Sequence, residues 1–171
     1  MGIPLVRVPV DTLEQFTFAA FQAMGVSSDE ARRCTRGLIE SELRCLPGQG
    51  QGVRRLPTYH ERIRNGWIIP GAPFEIVKET PALALVDGHN GLGSVIAQKS
   101  MELAVQKAKI SGVGTVIVRH STHFGSSAVP ARIALESDCI GIAMTNAGPE
   151  MAPWGAASGV VGTNPWGIAA P

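Results

Sequence analysis

The sequence predicts a mixed α/β fold, in which helices flank a sheet. Apolar residues at helical spacing dominate residues 11–65, whereas several short runs rich in β-branched residues follow residue 70. Hydrophobic residues make up 44% of the chain, which is enough to build a core. Since no repeat or linker divides the sequence, we expect one unit over residues 1–171, helical over 1–70 and sheet-containing over 71–171.

Three helices are predicted in the first part of the chain. The first covers residues 11–24, and Asp11 is placed to cap it. The second opens with Ser27-Ser-Asp-Glu30, which has the form of a capping box. The third covers residues 53–65 and follows a loop, 46–52, whose alternate glycines cannot continue a helix.

The second part alternates predicted strands with two helices. A long helix is expected at 93–110, and a short one at 126–136. The runs that predict strands are 74–78, 82–87, 113–118, 140–144 and the apolar end of the chain.

Charge and cysteine content exclude several classes of protein. The formal net charge is +1, so no long-range field favours nucleic acid or an anionic membrane as a partner. The sequence contains neither a signal peptide nor an apolar run of about 18 residues. Three widely spaced cysteines favour reduced thiols, and therefore a cytoplasmic protein, over a disulfide framework.

His123 is the strongest catalytic candidate, because it lies in a polar turn directly after an apolar strand. A histidine there can move a proton near neutral pH. The local sequence supports equally a histidine that only bonds a backbone carbonyl. His120 and His123 are spaced like a metal pair, but no carboxylate or cysteine lies near them in sequence, so no metal is expected.

Arg55 and Tyr59 are four residues apart, which places them on one face of the third predicted helix. An arginine beside a glycine-rich loop can hold a substrate carboxylate through two hydrogen bonds. However, His60, Glu61 and Arg62 crowd the same helix, and the local sequence alone favours a solvated face.

Two glycine-bounded turns pair a hydroxyl with an amide. They contain Thr145 with Asn146, and Gly162-Thr163-Asn164-Pro165. Such turns expose backbone N–H groups that suit phosphate or carboxylate oxygens, although ordinary turn formation explains them as well. There is no G-x-G-x-x-G motif to indicate a Rossmann phosphate loop.

Six segments, in order, resemble the type-2 malate/L-lactate dehydrogenase family, which includes ureidoglycolate, sulfolactate and diketogulonate enzymes. The resemblance covers essentially the whole chain and ends near the middle of a usual family member. It therefore implies a C-terminal half, on the same or a separate chain. The segments are Gly52–Tyr59, Val86–Gly93, His120–Gly125, Ile140–Asn146, Met151–Gly155 and Gly162–Pro165.

The resemblance implies a non-Rossmann α/β fold, usually a homodimer, and an oxidoreductase that uses NAD or NADP on 2-hydroxy or 2-keto acids. It assigns His123 as the catalytic histidine and Arg55 as the residue that holds the carboxylate of a small-molecule substrate. Tyr59, Thr145 and Asn146 would then contact the substrate. The turn formed by Gly162, Thr163, Asn164 and Pro165 would contact the cofactor.

Two segments depart from the family pattern. The family has Ser-His-Gly where this chain has Gly50-Gln51-Gly52, and Gln51 can hydrogen-bond in the catalytic position but cannot titrate. The family also has a tyrosine pair where this chain has Val129-Pro130.

These departures leave a second hypothesis open, in which the scaffold serves non-redox chemistry as a hydrolase, a transferase or a binding protein. In its sharpest form the chain is cleaved after Pro171, and the second chain then begins with a nucleophile. A structural subunit without a site is a third alternative.

Overall fold

The structure is a computed structural model that describes residues 6–44 and 52–171. Within these ranges the strands all follow the first three helices. The helices are α1 (Val10–Ala23), α2 (Ser28–Leu43), α3 (Leu56–Arg64), α4 (Gly93–Ser111) and α5 (Ala128–Ile133), with 3-10 helices at Gly52–Arg55 and Ala134–Ser137. The strands are β1 (Glu75–Glu79), β2 (Leu83–Asp87), β3 (Thr115–Arg119), β4 (Gly141–Met144) and β5 (Trp166–Ala169).

The strands form two small sheets. β2 pairs antiparallel with β1 and parallel with β3, and the parallel pairing uses α4 as its crossover. β4 and β5 form a separate antiparallel pair. The mixed α/β class is confirmed, with the strands divided between two sheets.

The predicted N-cap is confirmed for α2 and wrong for α1. The Ser27 hydroxyl caps α2 by accepting from the backbone N–H of Glu30, as the capping box predicts. Asp11 does not cap α1, because the helix begins at Val10 with Pro9 as its N-cap. Asp11 instead lies in the first turn, where its charge still favours the helix dipole.

The main core lies among α1, α2, α3 and the start of α4. Phe21, Ile68 and Leu92 are at most 1% exposed, and they pack in one cluster with Tyr59 of α3. The Phe21 and Tyr59 rings meet edge to face with their centroids 5.6 Å apart. No helix in the described ranges is long and apolar enough to cross a membrane.

The β4–β5 sheet is covered on one face only. Gly141 and Gly167 bring its backbone against α5 and the residue before it. On the other face the cross-strand pairs are Ile142 with Ile168 and Met144 with Trp166, and all four side chains are at least half exposed. This chain therefore presents an apolar sheet face to its surroundings.

Candidate active site

A hydrogen bond between His123 and Tyr59 joins two distant parts of the chain. His123 lies in the turn between β3 and α5, and its Nδ1 is 3.0 Å from the Tyr59 hydroxyl. The prediction of a solvated face is wrong for Tyr59, which is 3% exposed. It was wrong because α3 packs against α1 and the core cluster, a long-range contact that local spacing does not contain.

Burial and two arginines determine the protonation of this pair. The pKa of His123 is lowered to about 4, mainly by burial and further by the positive charges of Arg55 and Arg62. Burial raises the pKa of Tyr59 above its usual range, and the Cys34 thiol adds to that rise. At neutral pH both side chains are therefore uncharged.

The N-terminus of α4 supports the His123 turn. The Gly93 N–H donates to the Thr122 hydroxyl at 3.0 Å, and that hydroxyl donates to the Gly91 carbonyl at 2.8 Å. A Cβ at position 93 would overlap the backbone of Thr122 and His123. Only glycine allows α4 to begin this close to the turn.

Asp87 holds the start of the same turn. Its carboxylate accepts from the His89 N–H, from Arg119 Nε and from His120 Nδ1, each at 2.9 Å. The His89 N–H, followed by His120 and Arg119, keeps the pKa of this carboxyl well below its usual range. His120 thus pairs with a carboxylate that lies 33 residues away in the sequence.

No group of three or more His, Cys, Asp or Glu side chains in residues 6–44 and 52–171 is placed to hold a metal ion.

Glu42 of α2 fixes the segment that carries Arg55. Its Oε1 accepts from the Val53 N–H at 2.8 Å, and Gly52, at φ +56°, leaves room for the carboxylate where a Cβ would overlap it. Arg55 is partly buried, and its charge acts on both His123 and Tyr59. Gln51, for which the family resemblance predicts a catalytic position, lies outside the described residues.

The two predicted turns lie side by side. The Thr145 N–H donates to the Pro165 carbonyl at 3.1 Å, and the Ala147 N–H donates to the Asn164 side chain at 2.9 Å. Gly162 approaches the Ala147 carbonyl too closely for any Cβ, and Thr163 is exposed between these contacts. A depression of about 460 Å³ is lined by Met144, Thr145, Asn146, Asn164 and Trp166.

The candidate residues therefore form two groups. His123, Tyr59 and Arg55 make the first, and residues 145–146 with 162–165 make the second. α5 follows the His123 turn directly and packs against β4 and β5, which lead into and out of the second group. Val129 and Pro130 are buried in α5, so the departure from the family at these positions lies in the interior.

The chain matches the family model described as malate/L-lactate dehydrogenase over residues 8–171. The chain belongs to this family. Among its curated relatives, the malate dehydrogenase of Pyrococcus horikoshii is 39% identical over 166 residues, which cover 97% of this chain and 46% of the relative. The L-sulfolactate dehydrogenase of Methanocaldococcus jannaschii is also 39% identical, covering 95% of this chain and 44% of the relative.

Solved structures agree with the family assignment. The Pyrococcus horikoshii malate dehydrogenase structure superposes with a TM-score of 0.92 at 38% identity, covering 97% of this chain and 47% of that one. Among the curated sequence relatives, a 2,3-diketo-L-gulonate reductase of Salmonella newport is 28% identical, covering 96% of this chain and 49% of the relative. The chain spans about half the length of the relatives it matches, and those named here are all dehydrogenases or reductases.

Proposed function

We propose that this malate/L-lactate dehydrogenase family chain forms the substrate-binding and proton-transfer part of an oxidoreductase that acts on 2-hydroxy or 2-keto acids. The hydrogen bond between His123 and Tyr59, beside Arg55 and Arg62, carries the proposal. It combines a group able to exchange a proton with cations able to attract a carboxylate.

The chemistry of this group suits a small carboxylic acid. A guanidinium can donate two parallel hydrogen bonds to a carboxylate, and Arg55 belongs to a segment that Glu42 holds in place. The carbon beside the carboxylate would then lie near His123, whose ring nitrogen exchanges a proton with the oxygen on that carbon. Loss of such a proton-transfer group costs about 10²- to 10⁴-fold in rate.

A nicotinamide cofactor, NAD or NADP, would supply or accept the hydride when bound. Residues of the second group fit part of such a molecule, because the exposed Trp166 indole offers a flat apolar surface beside the Asn146 and Asn164 amides. Gly162, Thr163, Asn164 and Pro165 would hold it through their turn, whose Pro165 carbonyl and Asn164 side chain accept from backbone N–H groups of residues 145–147.

The proposed activity needs further polypeptide. Relatives of this chain are about twice as long, and the apolar face formed by Ile142, Met144, Trp166 and Ile168 is exposed here. We therefore propose that the sequence corresponding to the second half of the relatives, on the same or another chain, completes the site.

The test is oxidation of NADH and NADPH, followed at their absorbance maximum, with oxaloacetate and other 2-keto acids. It is run on the full protein with any companion chain. His123→Gln should lower kcat by at least about 100-fold. Arg55→Lys should mainly raise KM, because lysine keeps the charge but loses the two-pronged geometry.

The matched control is His60→Gln, which makes the same chemical change at an exposed histidine of α3. It should leave both constants unchanged. If His123→Gln retains full activity, the proposed role of the first group is wrong.

A further inference from the structure

The hydrogen bond between Tyr59 and His123 has two chemically different forms. In one form, the Tyr59 hydroxyl donates to an unprotonated Nδ1, and the imidazole proton is on Nε2. In the other form, a protonated Nδ1 donates to the phenol oxygen, and Nε2 is left unprotonated. The heavy-atom separation of 3.0 Å fits both forms, so the surroundings of the phenol determine which form is more stable.

The burial of Tyr59 favours the first form. The phenol is 3% exposed, and its ring packs against Phe21 in the apolar cluster. Across the described residues its hydroxyl has one hydrogen-bond partner, His123 Nδ1. If Nδ1 were the donor, the phenol proton would remain in apolar surroundings without an acceptor, which is costly for a buried donor.

The charges around His123 keep the ring neutral, which the first form requires. Arg55 from the 3-10 helix and Arg62 from α3 both oppose a second proton on the imidazole, and burial acts in the same direction. The other titratable group that contacts His123 is Tyr59 itself, whose pKa is raised further by the Cys34 thiol of α2. An imidazolium would make both nitrogens donors and would remove the acceptor that Tyr59 uses.

We infer that Tyr59 is a positioning residue that holds His123 as the neutral tautomer with its proton on Nε2. The nitrogen left for a ligand is then a hydrogen-bond donor. Such a donor suits the carbonyl oxygen of a 2-keto acid better than the hydroxyl of a 2-hydroxy acid. The choice of ligand rests on the proposed function, whereas the tautomer rests on the contact alone.

The tautomer distinguishes the two acids at the binding step, before any proton is transferred. A keto oxygen can accept from Nε2 without any change in His123 or Tyr59. Proton transfer at Nε2 in either direction needs a proton on Nδ1, for which the phenol must turn its O–H away. The imidazolium can then give its Nε2 proton to the oxygen formed by reduction, and the Nδ1-protonated neutral ring can take one from a substrate hydroxyl. The protein should therefore bind keto acids in its resting state.

Long-range proton–nitrogen correlation NMR of the ¹⁵N-labelled full chain at pH 7 tests the tautomer directly. The His123 signals are identified by their loss in His123→Gln. We expect a protonated Nε2 and an unprotonated Nδ1. A protonated Nδ1 with an unprotonated Nε2, or an imidazolium, overturns the inference.

Tyr59→Phe separates positioning from packing, because it keeps the ring against Phe21 and removes only the hydroxyl. The variant should show a mixture of both tautomers and a His123 pKa above the wild-type value of about 4. Cys34→Ala is the control, because it alters the same cluster without touching the hydrogen bond, and it should keep the wild-type tautomer. An unchanged tautomer in Tyr59→Phe refutes the inference.

Binding of oxaloacetate and malate, measured by calorimetry, tests the consequence for ligands. Wild-type protein should bind the keto acid about tenfold more tightly, which corresponds to one net hydrogen bond. The ratio should fall towards one in Tyr59→Phe. If neither acid binds while NMR shows the expected tautomer, the proposed function fails and the role of Tyr59 stands. Tighter binding of malate by the wild type would contradict the ligand preference.

Discussion

Acid should destabilise this protein through His123. Its pKa is lowered from 6.5 to about 4 in the folded chain, chiefly by burial. An unfolded chain takes up a proton on this ring below pH 6.5, whereas the folded chain stays neutral down to about pH 4. Stability therefore rises with pH across this window and is lost as the pH falls through it.

The size of the effect follows from the shift. Each pKa unit corresponds to 1.36 kcal/mol, so relative to pH 7 the loss is roughly 2 kcal/mol at pH 5 and roughly 3 kcal/mol at pH 4. Glutamine cannot titrate, so His123→Gln should remove this contribution and flatten the dependence.

Urea unfolding at pH 7, 5 and 4, followed by tryptophan fluorescence, measures the effect. For each protein, the change in the free energy of unfolding between pH 7 and the lower pH is measured. The change in His123→Gln is then subtracted from the change in the wild type, because the contributions of other titrating groups cancel in that difference. His60→Gln, at an exposed position, should keep the full wild-type dependence. If wild type and His123→Gln lose the same stability between pH 7 and pH 4, burial does not hold His123 neutral.

Three substitutions test other contacts. Gly93→Ala should cost about 3 kcal/mol in the free energy of urea unfolding, because its Cβ meets the His123 turn, whereas Gly148→Ala, with open space around it, should be near neutral. Equal effects would contradict the close approach. Glu42→Ala should cost about 1 kcal/mol in thermal unfolding, as loss of a cap does, and should raise KM more than it lowers kcat. Phe21→Ala, at 0% exposure, should cost about 3 to 5 kcal/mol, and a smaller loss in urea unfolding would show that the cluster is not the core.

The predicted fold was accurate where local signals determine structure. The Ser27 capping box marks the start of α2, and each predicted helix and strand has a counterpart within a few residues. Helical spacing and β-branched runs report on neighbouring residues, which is why they locate elements. They do not report pairing, and the division into two sheets was not foreseen.

The site was only partly predictable for the same reason. His123 follows a strand in a polar turn, and that signal is local. The support for the turn comes from Asp87 and Gly93, which lie about 30 residues upstream, and nothing in their immediate sequence indicates the contact. The Glu42 carboxylate accepts from the Val53 N–H, which lies 11 residues further along the chain. No pattern in α2 distinguishes Glu42 from a glutamate that only contacts solvent.

The position of α5 has a consequence for ligand binding. This six-residue helix begins shortly after His123, and the backbone of β4 and β5 rests on it through Gly141 and Gly167. The distance between the two groups of candidate residues is thus fixed when the chain folds. A ligand that contacts both groups therefore has little conformational entropy to remove from the protein. More of the free energy of its contacts then contributes to affinity.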